Sequence, residues 1–321
     1  MDIFLQQIIN GVTLGSVYAL VALGYTMVYG ILGLINFAHG DVMMIGAMVT
    51  YSACSALKAL FPELGGVWLL LSGIAAAIPV CMAVSYGMER MAYRPLRNAP
   101  KLAPLITAIG ISVILQTAAM LIWGRNYQVF PNTLSSDPIT LLSFSPLADE
   151  TEPRTVTATH VQLCIVAGAC ALMCLLTLLI NHTGLGRAMR ATAENPKVAN
   201  LMGIDHNRVI ALTFMLGAAL AAVAGAMVAA NYSVAHFYMG FIPGLKAFTA
   251  AVLGGIGNLY GAMLGGLVLG IVESLGAGYI SEITGGFFGS NYQDVFAFVV
   301  LITVLTLRPS GLLGERVAER S

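Results

Sequence analysis

Charge is what this sequence lacks most. Of its 321 residues, 15 are Lys or Arg and 15 are Asp or Glu, whereas about a quarter of an ordinary soluble domain is charged. So small a set cannot cover a water-soluble surface, and 58% of the residues are hydrophobic, so the composition excludes ordinary globular domains and fits a polytopic membrane protein. Net charge is zero, which gives no footing for a nucleic-acid partner. There is no GxxxxGK[ST] loop, so the chain cannot cradle ATP phosphates in a Walker loop of its own. The five cysteines, Cys54, Cys81, Cys164, Cys170 and Cys174, stand in apolar runs without a CxxC pair or a His at ligand spacing, and read as small buried residues. His160, His182 and His236 fall at loop or interface positions, and no pair has metal spacing, so no metal site is expected. The N-terminal stretch Met1 to Tyr29 has no basic leader and outruns a signal-peptide core of about 7 to 15 residues, so it reads as a span.

Present in abundance are 35 glycines and 16 methionines; glycine is common where membrane helices approach closely. Charge-free intervals delimit the spans, because an ion at the bilayer centre costs at least about 2.5 kcal/mol. They predict helices over Ile8 to Ile31, Phe37 to Leu57, Val67 to Met88, Leu102 to Trp123, Val161 to Ile180, Val209 to Tyr232, Pro243 to Ile256, Leu259 to Ile280 and Val295 to Leu307. Most approach the roughly 20 residues a crossing needs. Pro243 to Ile256 is short and glycine-rich, and reads as a broken or re-entrant helix. The fold class expected is all-α: a polytopic helix bundle of about nine spans forming one transmembrane domain over 1–321.

Basic residues cluster at Arg90, Arg94, Arg97 and Lys101, at Arg187, Arg190, Lys197 and Arg208, and at Arg308, Arg316 and Arg320. These segments should be cytoplasmic. The polar, proline-spaced stretch 124–160 then reads as an outside loop, which sets the N-terminus outside and the C-terminus inside and demands an odd number of crossings. Nine satisfies this if Pro243 to Ile256 crosses; seven does if it re-enters.

The cytoplasmic loop 182–208 looks folded. Asn195 suits an N-cap, Pro196 the first helical position and Gly203 the C′ position, delimiting a short helix from Pro196 to Met202 with Val198, Leu201 and Met202 on one face. That apolar stripe fits either the membrane surface or a groove on a partner. Asp205, beside His206, is the expected N-cap of the next span.

Two helix breaks are expected. Gly254, Gly255 and Gly257, followed by Asn258 and Gly261, form a run no uninterrupted helix would choose; it serves small-residue packing or leaves unwound backbone along a pathway. INFAHGD at Ile35 to Asp41 brings Asn36, His39 and Asp41 to a point between two apolar helices. It is either an interhelical turn in which Asn36 or Asp41 caps the second helix, or part of a gate or solute path. Lys246 and Glu273 are the charges left in or near the bilayer, and would compensate one another, pinning the glycine-rich segments or facing the ammonium and carboxylate of an amino acid. NGVTLGSVYAL at Asn10 to Leu20 echoes GGLVLGIVESL at Gly265 to Leu275; an inverted repeat would bring the INFAHGD and GGIGNLYG regions together.

Several blocks, in order and spanning nearly the whole chain, carry a resemblance: NGVTLGSVYALVALGYTMVYGI at Asn10 to Ile31, INFAHGD, MERMAYRPLR at Met88 to Arg97, the 182–208 loop, and KAFTAAVLGGIGNLYGAMLGG at Lys246 to Gly266. Together they resemble the permeases of ATP-binding-cassette importers for branched-chain amino acids, in particular the LivH-type subunit. The resemblance implies a subunit of the bacterial inner membrane that does no chemistry and binds no cofactor, ATP and Mg belonging to partner subunits. It implies as partners a second, LivM-type permease, two ATP-binding subunits of LivG and LivF type, and a periplasmic amino-acid-binding protein. It places Glu194, Asn195, Pro196, Lys197, Ala199 and Gly203 in the element that docks on the ATPase. The path or gate would involve Asn36, His39, Asp41, Lys246, Gly254, Gly255, Gly257 and Glu273. Urea or amide permeases of the same kind, and a stand-alone channel or ion-coupled carrier, are the alternatives.

Overall fold

The computed structural model describes residues 2–97, 99–100, 102–131, 133, 137–144, 154–287, 289, 292–308 and 310–314. Lys101, Arg316 and Arg320 of the basic clusters, and much of the 124–160 loop, lie outside the described residues. Among the described residues, seven helices are long and apolar enough to cross a bilayer: α1 (Asp2–Leu32), α2 (His39–Leu60), α3 (Gly66–Met88), α4 (Leu102–Trp123), α5 (His160–His182), α8 (His206–Tyr232) and α10 (Leu259–Ile283). Two shorter apolar helices, α9 (Phe241–Gly254) and α11 (Gln293–Leu307), complete the bundle, and α6 (Gly184–Glu194) and α7 (Pro196–Leu201) fill the polar loop between α5 and α8. The chain is a multi-pass membrane protein built from helices, since in hydrocarbon only helices and closed barrels satisfy every backbone group.

α1 and α8 form the centre, each largely buried along its length, whereas α4 turns most of its surface outward. α10 lies antiparallel on α1 through glycine. A Cβ on Gly11 would stand 2.6 Å from Ile271 Cα and 3.0 Å from Gly270 O, and one on Gly15 2.9 Å from Gly266 O. Gly11 thus faces Gly270 while Gly15 faces Gly266. Backbones this close gain dispersion contacts that larger side chains would block.

The stretch before α10 crosses. Gly24 of α1 lies against Gly217 of α8, while Val17 and Val228 share a cavity wall, so α1 ends where α8 begins. α8 ends at the other side, where β4 (Val234–Ala235) pairs with β1 (Gln128–Val129) beyond α4. α9 then finishes at Gly254, and Gly257 meets Gly30 near the end of α1. Val234 to Gly254 therefore runs from one side to the other, irregular at first and helical for its last 14 residues, about 21 Å.

The outer stretch is not a plain loop. β2 (Pro138–Phe144) and β3 (Arg154–Thr159) form an antiparallel hairpin, held to the start of α1 by Gln6, which donates to Thr157 O (3.0 Å) and accepts from Thr157 N (2.9 Å). Thr159 and Gln162 close a capping box on α5. Cys54 and Cys81 are buried as expected, but Cys164, Cys170 and Cys174 are exposed; α5 lies at the periphery, so an apolar cysteine there faces outward.

Candidate translocation and coupling sites

α7 carries the loop's one outward apolar surface. Asn195 Oδ1 accepts from Lys197 N and Val198 N, both at 3.1 Å, and Pro196 occupies the first turn, where its missing N–H costs nothing. The helix ends one residue earlier than expected, at Leu201, with Met202 as C-cap and Gly203 at φ 84°, a conformation disfavoured by any Cβ. Ala199 is packed inward, but Val198, Leu201 and Met202 are 52%, 86% and 78% exposed. Glu194 closes α6, and Asp205 caps α8 through Asn207 N (3.0 Å) and Arg208 N (3.3 Å), so the knob is held rigidly at both ends. Nearby, Arg97 pairs with Glu89 and donates to Asn207 Oδ1 (2.6 Å). Desolvation draws its guanidinium below the ordinary value, and the Glu89 charge opposes that shift.

The first break is real but built differently from a capped turn. α1 ends at Leu32, and α2 begins at His39 with Ala38 as N-cap and no side-chain capping bond, so neither Asn36 nor Asp41 caps it. Each is engaged elsewhere: Tyr93 OH donates to Asn36 Oδ1 (2.7 Å) and Gln116 Nε2 to Asp41 Oδ1 (2.9 Å). All three polar residues are buried rather than at a surface, at 2% exposure each. His39 enters the core against Gly24 and Gly217 and meets Tyr25 edge-on at 4.9 Å. Its Nε2, and Asn36 Nδ2, find no hydrogen-bond partner among the described residues. Gly24 lies eight residues before the end of α1, about 12 Å along the axis, so α2 starts well inside the bundle.

There it meets the start of α9. A Cβ on Gly40 would stand 2.6 Å from Gly240 O and 2.9 Å from Gly244 Cα. α2 and α9 thus begin face to face within the bundle, each preceded by non-helical backbone, an arrangement tolerated at membrane depth only inside protein or beside a cavity. Ile35 from the first break and Ile256 from the second line one small cavity with Tyr25, Tyr29 and Phe248.

At the second break, Gly254 ends α9 and Gly255 and Gly257 take φ 107° and 96°. The freed carbonyls are not orphaned. Leu312 N donates to Leu253 O (2.8 Å) and Leu313 N to Gly254 O (2.9 Å), while Asn258 donates to Leu313 O (2.9 Å) and accepts from Gly261 N (3.1 Å). A strap following α11 therefore clasps the break, a partner that the glycine run alone did not reveal.

The intramembrane charges do meet. Lys246 Nζ lies 2.6 Å from Glu273 Oε1 and 2.7 Å from Asp294 Oδ1, and Tyr18 OH donates to Glu273 Oε2 (3.1 Å). Sequence reasoning missed Asp294 and Tyr18. The last span was begun at Val295, one residue too late to include the acid, and a tyrosine 255 positions from its partner leaves no local signal. Lys246 binds α9 to both α10 and α11, so it pins helices across the second break.

Over residues 7–305 the chain matches the family model described as the branched-chain amino acid transport system permease component. The chain belongs to this permease family. It is 47% identical over 318 residues to the high-affinity branched-chain amino acid transport system permease protein BraD of Pseudomonas aeruginosa, covering 99% of this chain and 98% of that protein. To the LivH permease protein of Escherichia coli K12 it is 45% identical, covering 99% and 97%; to the probable LivH permease of Methanocaldococcus jannaschii, 29%, covering 98% and 94%. The family match runs from α1 into α11, so it takes in both breaks, the charge cluster and the α7 loop.

Proposed function

We propose that this chain is the transmembrane subunit of an ATP-driven importer that passes leucine, isoleucine and valine from the outer to the cytoplasmic side by alternating access. The observation that carries this reading is the likeness to named branched-chain amino acid permeases along nearly the whole of both chains. In this reading the α7 side is cytoplasmic, as its basic residues favour, and the hairpin side receives a periplasmic binding protein. α7 with Glu194, Asn195, Pro196, Lys197, Ala199 and Gly203 docks on an ATPase: three exposed apolar side chains on a capped helix make a knob that fits a partner's groove. Closure of two LivG- and LivF-type ATPases around ATP then moves α7 and, through Asp205, the central α8. A second permease of LivM type supplies the other half of the path. This chain does no covalent chemistry; ATP and Mg act on the partners.

The path or gate follows the broken helices, through Asn36, His39 and Asp41 at one break and Gly254, Gly255 and Gly257 at the other, with Lys246 and Glu273 between. Two cavities among the described residues hold about 10 and 40 Å³, room for water but not for leucine, so passage through either requires it to widen. The test is affinity purification of the chain from its native membrane with mass spectrometry of what stays bound. A second permease and two P-loop ATPases are expected; the chain alone, still transporting, would favour a channel or carrier.

A further inference from the structure

Among the described residues, the cluster around Lys246 is unbalanced. Glu273 and Asp294 face a single ammonium, so its formal sum is one negative charge, and Tyr18 contributes a neutral hydroxyl. Lys246 and Glu273 are sealed, at 6% and 1% exposure, while the Asp294 side chain is 40% exposed. A net charge within the bilayer is costly unless a counter-ion answers it.

Beside the cluster lies the larger of the two cavities above, which touches it through Tyr18 and through Pro243, one turn before Lys246 on α9. Leu14, Val17, Ile165 and Val228 form an aliphatic wall, and Asn231 and Tyr232 give amide and phenol groups at its rim. A metal cation would ask for about six oxygen ligands around it; the cavity has oxygens on Thr13, Tyr18, Asn231 and Tyr232, but Leu14, Val17, Ile165 and Val228 leave one whole side without any. An organic cation with a branched apolar tail fits both faces at once: ammonium toward the carboxylates, hydrocarbon toward the wall.

We propose that this cavity is an intramembrane subsite that takes a branched-chain amino acid in transit, its α-ammonium on the Asp294–Glu273 side and its side chain between α1, α5 and α8. The assignment rests on the transport reading above and adds to it a defined resting place inside this subunit. Occupancy requires the cavity of about 40 Å³ to widen, and α5, through Ile165, is its outermost wall.

The experiment measures binding of radiolabelled leucine to the purified complex in nanodiscs without its binding protein, with three competitors. Isopentylamine, which keeps ammonium and tail, is expected to displace leucine; 4-methyl-2-oxopentanoate, which lacks the ammonium, is not, and sodium chloride is expected to act no more strongly than choline chloride. Asp294→Asn should weaken leucine binding at least tenfold in complexes that co-purify intact, and Asp294→Glu should restore it. Equal competition by the oxo acid, specific displacement by sodium, or unchanged affinity in Asp294→Asn would overturn the subsite. If the Asn variant does not assemble, the competition series on the wild-type complex decides. A wild-type complex that imports no leucine with its binding protein would defeat the transport reading itself; one that imports leucine yet binds none alone would defeat only the subsite.

Discussion

Lys246 is the residue whose loss the fold should feel most. Replacing it with Met leaves Glu273 and Asp294 facing each other without a cation, and removing one member of a buried ion pair costs about 3–5 kcal/mol. Glu273→Gln should cost less, because Asp294 still answers Lys246 at 2.7 Å. Melting of the two purified variants tests this order: Lys246→Met is expected to unfold at the lower temperature. Asn258→Ala should cost about 1 kcal/mol, the usual loss at a helix N-cap, and hydrogen exchange at Leu312 and Leu313 should quicken because Asn258 no longer holds Leu313 O. At this scale the sequence showed Lys246 and Glu273 because each interrupts an apolar run. It did not show Tyr18, Asp294, Tyr93 or Gln116, whose importance comes from partners brought in by tertiary packing.

Among elements, the crossing of α2 and α9 leaves little room. A Cβ on Gly40 would meet backbone on Gly240 and Gly244, which cannot yield as a flexible side chain can. Gly40→Val should therefore destabilise by at least the 1–3 kcal/mol typical of overpacking, whereas Gly33→Ala, with nothing within 4 Å of its Cβ but φ 63°, should cost about 1–2 kcal/mol of backbone strain alone. Thermal melts of both variants separate the two causes. Span positions were legible because the bilayer penalises charge so heavily that charge-free intervals mark them. The start of α2 was not, since Asn36 and Asp41 are good capping types and only the fold reveals that Tyr93 and Gln116 take them up. The short β2–β3 hairpin carries little periodicity, whereas sequence reasoning missed a legible signal for α6: Leu185, Ala188 and Met189 at helical spacing behind Thr183, which caps Gly186 N. The α7 boundaries were readable from Asn195, Pro196 and Gly203, each of which has one dominant backbone preference.

At the scale of the whole molecule, the membrane-spanning α5 alone lies between the β2–β3 hairpin and the α6–α7 loop, so α7 and the hairpin sit at opposite sides and an event at one must travel through the bundle to the other. The rigid route is α7, Asp205 and α8, with α1 packed along α8 and α10 along α1 by glycine contacts. Small residues at those contacts let helices slide with little steric cost, which suits a subunit that must change shape. The measurement that tests this account most directly is ATP-driven leucine uptake into proteoliposomes holding the complete complex, with wild-type chain and with Leu201→Glu. Leu201 is 86% exposed and supports nothing in its own fold, so the variant should insert and melt like wild type, fail to retain the ATPases on co-purification, and lose at least 90% of uptake, on the order of the tenfold that 1.4 kcal/mol of docking energy represents. Full retention of the ATPases and undiminished leucine uptake in Leu201→Glu would contradict the account, because α7 would then not be the coupling element.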